Sequence, residues 1–177
     1  MARGTICSPR PDSYIIRIYI RQFDGFWYAI YSASEEWDNN TNLELFADYT
    51  VDYSADWDSS APDGQNEMSF GAYSDSQVIA VTVIWGSFSG PVGSREIKEY
   101  DILFNTKYVW GDAGANPSVM DLQNIATHEI GHGIGLGDLY SPGATAETMY
   151  GYSTEGETKK RDLYTGDIQG LQSLYGI

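Results

Sequence analysis

Residues 121–138 read DLQNIATHEIGHGIGLGD, and the first half of this stretch has helical spacing: Val119, Leu122, Ala126 and Ile130 share one face. Ser118 and Asp121 are the expected capping pair ahead of it. On such a helix His128 and His132 stand one above the other, so both imidazoles can reach a single zinc ion, and Glu129 is placed to reach a water activated there. In a 177-residue chain with two histidines, chance produces this HExxH pattern roughly once in 1,600 sequences.

A catalytic zinc needs a third protein ligand and an open position, and the chain has no further histidine. Gly135 follows His132 where a glycine can take positive φ, end the helix and turn the chain back toward the metal. Asp138 comes after that turn and is the expected third ligand. Glu147, Glu155 and Glu157 compete with it. The last two lie at the longer separation used by enzymes that take this ligand from a second helix, but the Gly- and Thr-containing stretch around them does not read as helix.

Upstream, Pro9 and Pro11 make 1–13 an extended N-terminal arm, and 14–20 is a β-branched run that reads as a strand. From Asp24 a helix follows, with Phe26, Ile30, Ala33 and Trp37 on one face and a stop at 39–42. Leu43, Leu45, Ala47, Tyr49, Val51 and Tyr53 alternate with polar residues as in a half-buried strand. Strands are also expected at 67–71 and 77–85, the latter apolar on both faces as inside a covered sheet, and at 96–105 with Tyr100, Ile102 and Phe104 facing in. The Gly- and Ser-rich stretch 86–94 reads as a mobile loop.

The formal charge of −15 argues against nucleic acid and anionic membrane surfaces as partners, and no apolar run is long enough to cross a bilayer. With 42% hydrophobic and 14% aromatic residues the chain is globular rather than a disordered acidic tail. Its single cysteine, Cys7, excludes an internal disulfide. Residues 1–7 carry no apolar leader segment, which fits either a cytosolic chain or one whose leader has been removed. Residues 22–94 hold twelve acidic side chains and no Lys or Arg. A solvated acidic surface accounts for this run. Its rival is Ca2+, for which Asp56, Asp58, Asp63, Asn66 and Glu67 offer hard oxygen ligands, though without the spacing of an EF-hand.

The pattern His128-Glu129-x-x-His132-x-x-Gly135-x-x-Asp138 resembles the metzincin zinc peptidases, with Asp where most members carry a third His, as in snapalysin-type members. Thr148-Met149-Tyr150 resembles the metzincin Met-turn, whose Met packs beneath the metal. The ending 167–176 is similar to the last helix of the matrixin branch; with 101–105, the likeness covers roughly 96–177 well and 14–95 only in element order. Matrixins usually hold a second, structural zinc through histidines in the strand that here reads Ile79-Ala80-Val81-Thr82-Val83, so that site is expected to be absent. Astacins and serralysins place a tyrosine where Gly151 stands, so neither Tyr150 nor Tyr152 is carried over as a metal ligand. The 7–12 segment faintly resembles a cysteine switch in a different residue order, and an incidental thiol at Cys7 is the plainer expectation.

The resemblance implies an α+β fold of the zincin type. It would have a twisted mixed β-sheet of about five strands, a backing helix, an active-site helix and a C-terminal helix, in one catalytic domain over 14–177. It also implies a monomeric, secreted zinc endopeptidase that hydrolyses internal bonds of peptides or proteins, with Glu129 as general base toward a metal-activated water. An anionic third ligand would weaken the metal as a Lewis acid and raise the acid limb of activity. The substrate would add as a strand along an exposed sheet edge at 77–85, against a wall from 149–153 with Tyr150 and Tyr152 as lining candidates. Two other functions compete: a non-catalytic metal-binding or adhesion domain, and a deformylase-like amidase. The amidase needs a cysteine ligand, which Cys7, far from His128 and without glycine-flanked context, does not supply.

Overall fold

The computed structural model describes residues 14–18, 26–52, 54–91 and 94–176. The expected arm 1–13, Cys7 and the helix start at Asp24 lie outside them, as do 19–20 and Tyr53. Five strands form one sheet: β1 (Tyr14–Ile18), β2 (Phe46–Val51), β3 (Asn66–Gly71), β4 (Ala80–Ser87) and β5 (Glu96–Asn105), in the order β2-β1-β3-β5-β4. β1, β2, β3 and β5 run parallel, and β4 pairs antiparallel with β5. The parallel β1–β2 pair needs a crossover, which α1 (Phe26–Asp38) supplies. A short parallel ladder, β6 (Trp110–Gly111) with β7 (Met120–Asp121), precedes α2 (Leu122–Gly133), and α3 (Thr165–Tyr175) ends the chain. This is the expected mixed sheet with three helices. No helix among the described residues is long and apolar enough to cross a membrane.

The helical period read from α1 holds: Ile30, Ala33 and Trp37 are fully buried, while Phe26 is only half-buried. The Trp37 indole N–H donates to the Thr127 carbonyl at 2.9 Å, joining α1 to α2. Tyr100, Ile102 and Phe104 of β5 are fully buried, as their alternation predicts.

Three local readings need correction. Strand β4 is an edge strand, as expected for peptide addition, but its apolar side chains are half-buried rather than covered on both faces, and one backbone edge lies unpaired within the described sheet. In β2 the register slips: Tyr14 faces Phe46, but Ile16 faces Tyr49. The extra residue breaks the period-2 count and accounts for the buried Phe46; Leu43, ahead of the strand, and Val51, its last residue, are about half exposed, at 47% and 51%. Finally, Asp121 itself caps α2, its Oδ1 accepting from the Asn124 N–H at 2.8 Å. Ser118 takes no part in that cap and instead donates its own N–H to Asn116 Oδ1.

Candidate metal centre

Helix α2 is buried on nearly every side, so its polar residues point at built interactions rather than solvent. It is seated by Asp121, whose carboxylate also accepts from the Ala113 N–H and pairs with Arg161. Gly131 sits so close to Met149 Sδ and to Trp37 that any Cβ would collide with them, which accounts for a glycine in the middle of a helix despite its cost of about 1 kcal/mol.

The helix ends in a Schellman-type turn. Gly135 has φ +99°, its N–H bonds to the His132 carbonyl, and the Leu136 N–H reaches back to Gly131. Past the reversal the backbone is laced to the 148–151 segment, with the Leu139 N–H on the Met149 carbonyl at 2.8 Å and the Gly151 N–H on the Leu139 carbonyl at 3.0 Å. Those bonds bring Asp138 over α2, where its Oδ1 lies 3.3 Å from His128 Nε2 and 3.5 Å from His132 Nε2.

The other face of each imidazole is also fixed. His128 Nδ1 lies 2.7 Å from the Thr148 carbonyl, and His132 Nδ1 lies 2.8 Å from the Leu136 carbonyl. A carbonyl only accepts, so each Nδ1 carries a proton, and each Nε2 is turned toward Asp138. Two Nε2 atoms and a carboxylate oxygen thus converge with all three atoms within 4.8 Å of one another, a group able to hold a metal ion. Electrostatics agree. Burial works to lower the His132 pKa, but its bond to Asp138 and the charge of Glu129 outweigh it and raise the ring to about 9. Burial likewise works to raise the Asp138 carboxyl, yet the two histidines hold it below the ordinary carboxylate range. Two imidazoles and a carboxylate are a donor set that suits zinc.

The competing carboxylates are occupied elsewhere. Glu147 accepts from the Gly166 and Asp167 N–H groups at the start of α3, and Glu157 accepts from Ser153 and Asn124. Glu155 is exposed, and among the described residues it is Asp138 that groups with the two histidines.

Glu129 is buried beside His128, and its Oε2 accepts from the Thr82 hydroxyl at 2.6 Å. A cavity of about 580 Å³ runs between β4 and the Gly151, Tyr152, Ser153 segment, with His128, Glu129 and His132 between them. The 149–153 wall is therefore only partly as expected. Tyr152 lines the cavity. Met149 is buried and its sulfur lies against Gly131, while the Tyr150 ring meets that of Tyr152 at 5.6 Å rather than lining the cavity.

Four contributors escape sequence reasoning. Thr82, which anchors Glu129, left a signal as the lone hydroxyl in an apolar strand. Asp167 receives the Thr148 and Met149 N–H groups at 2.7 and 3.0 Å and so holds the turn under the helix. Lys160, buried, donates to the carbonyls of Tyr150 and Tyr152 and so ties down the wall. Tyr140 donates to Asp138 Oδ2 at 3.0 Å. None of the last three is marked by spacing.

The run proposed for calcium gathers with two residues of β5: Asp56, Asp58 and Glu67 form one group, and Asp58, Glu99 and Asp101 another. Their carboxylates already accept backbone N–H groups. Asp101 takes those of Asp58 and Glu67, Glu67 that of Asp56, and Glu99 those of Asp63 and Gly64.

Stretches of the chain match known proteins. The stretch 63 residues long that matches metalloendoproteinase 1-MMP of Arabidopsis thaliana is 43% identical and covers 36% of this chain and 16% of that protein. Metalloendoproteinase 1 of Glycine max is 44% identical over 38% of the chain and 21% of its own length. Human neutrophil collagenase is 34% identical over 44% of the chain and 15% of its own length. The matched stretches thus span about a fifth or less of these longer relatives. A family model described as matrixin matches residues 24–176, from the backing helix through the histidine helix to the last turn of α3, and the chain belongs to the matrixin family.

Proposed function

We propose that the chain is a zinc-dependent endopeptidase that cleaves internal peptide bonds, with His128, His132 and Asp138 holding the metal and Glu129 as general base. The observation that carries this is the convergence of His128 Nε2, His132 Nε2 and Asp138 Oδ1, with both Nδ1 atoms spent on carbonyls. Zinc, when bound there, supplies a Lewis acid for the scissile carbonyl and lowers the pKa of water toward neutrality. Glu129 takes a proton from the attacking water and returns it to the leaving amine. Thr82 holds the carboxylate by Oε2, fixing the direction from which the proton is taken.

The unpaired edge of β4 supports binding of an extended peptide as an added strand, with backbone hydrogen bonds giving affinity. Side chains entering the 580 Å³ cavity meet Tyr152 and Ser153 on one side and Val81 on the other. Met149 and Gly135 have structural roles in this reading: one fills the space under α2, the other makes the reversal. A domain over 14–177 acting on peptide or protein substrates in an extracellular setting goes with the proposal, supported by the family alone.

Glu129→Ala tests the assignment against a purely metal-binding domain. The variant should keep one zinc and lose turnover of a quenched internal peptide by at least about a hundredfold. Unchanged turnover removes Glu129 from the base role. Zinc uptake without any turnover in the wild-type protein favours the binding domain instead.

A further inference from the structure

Asp138 has two carboxylate oxygens, and the structure treats them differently. Oδ1 faces both imidazoles at 3.3 and 3.5 Å, whereas Oδ2 accepts from the Tyr140 hydroxyl at 3.0 Å. Tyr140 is 59% exposed, so core burial does not hold its ring. Two neighbours do. The ring stands edge-on to Tyr152, centroids 5.5 Å apart, and it occupies the space where a side chain at position 151 would begin. A Cβ on Gly151 would lie 2.5 Å from Tyr140 Cε1 and 2.8 Å from Cζ. The backbone pairing of Leu139 with Tyr150 sets these two positions against each other.

We propose that Tyr140 is a positioning residue that ties back Oδ2, so that Asp138 offers a metal one oxygen rather than two, and that Gly151 is glycine because the Tyr140 ring takes its side-chain space. This rests on the zinc reading above. A carboxylate that keeps its second oxygen engaged with protein leaves more room around the cation for substrate, and a hydrogen bond from outside the ligand set restrains its rotation.

Tyr140→Phe keeps the ring and its packing on Tyr152 but removes the hydroxyl. Zinc affinity, measured by competition with a chromophoric chelator, should fall about tenfold, the lower end for loss of such a partner. The visible absorption of the cobalt-substituted protein should weaken as the second oxygen joins the coordination sphere. The melting temperature of the metal-free protein should not change, since no buried contact is lost. Gly151→Ala should shift affinity and spectrum in the same direction, and it should add nothing further in the Tyr140→Phe background.

If wild-type protein binds one zinc and Tyr140→Phe matches it in affinity and cobalt spectrum, the role of Tyr140 is overturned while the zinc reading stands. Additive losses in the double variant overturn the role of Gly151. Should Gly151→Ala fail to fold, Tyr140→Phe still decides the main point. A wild-type protein that takes up no metal overturns the zinc reading itself, and this inference with it.

Discussion

Thr82 and Glu129 show how much a single side chain decides. The hydroxyl is contributed by the edge strand and the carboxylate by the buried helix, and their 2.6 Å bond joins the edge proposed to bind peptide to the proposed general base. Thr82→Val preserves shape and removes that bond. A hydrogen bond to a charged group contributes roughly 1.5 to 3 kcal/mol, so kcat should fall about tenfold with KM and zinc content nearly unchanged. Steady-state kinetics alongside metal analysis checks this. At this scale the sequence was informative where chemistry and spacing coincide. His128, Glu129 and His132 are marked by a one-turn spacing, and Gly135 by its place at the helix end. Tyr140 and Lys160 were illegible because no spacing rule marks their bonds: one reaches the carboxylate of Asp138 two residues back, the other the carbonyls of Tyr150 and Tyr152 across an irregular loop.

At the scale of elements, the turn carrying Met149 is held from outside by α3. Asp167 accepts the N–H groups of Thr148, Met149 and Tyr164 while itself only 2% exposed. Asp167→Ala leaves those donors without their acceptor and should cost about 3 kcal/mol, a drop in Tm on the order of 10 °C. Thermal melting of the zinc-loaded protein measures it, and a loss of only a degree or two contradicts the role given to α3.

The paired strands β3 and β5 make a different prediction. Burial is the main cause that raises Glu67 and Asp101 to about 7, with neighbouring carboxylates adding to it and backbone N–H bonds working against it. Both sit above their unfolded values of 4.5 and 3.8. The folded state therefore holds extra protons in the window between, and stability is lost as pH rises through about 7. Asp101→Asn removes one such group. Its Tm relative to wild type should climb as pH goes from about 5.5 to about 8, and a constant difference would contradict the burial argument.

Elements were the most legible level of the fold. Strand β5 and the buried face of α1 follow directly from periodicity. The misreadings, the buried Phe46 in β2 and the incomplete cover of β4, come from a register slip and a strand order that no local pattern encodes.

Over the whole molecule, the chain carries a formal charge of −15, and β4, the edge strand of the described sheet, lines the cleft. Cationic peptides should be drawn in more readily than neutral ones at low ionic strength. Their KM should rise by several-fold between about 0.05 and 0.5 M salt, where screening shortens from beyond 10 Å to a few ångströms, while an uncharged peptide of equal length changes little. Parallel Michaelis curves for the two peptides test that expectation.

Sheet, backing helix and α3 all serve to bring three acceptor atoms to one point, so the decisive measurement is the crystal structure of the zinc-loaded protein. The account predicts one ion bonded to His128 Nε2, His132 Nε2 and Asp138 Oδ1 at about 2.0 to 2.2 Å, with Oδ2 still on Tyr140. An ion completed by Glu147, Glu155 or Glu157 instead of Asp138, or an empty site at saturating zinc, would contradict it.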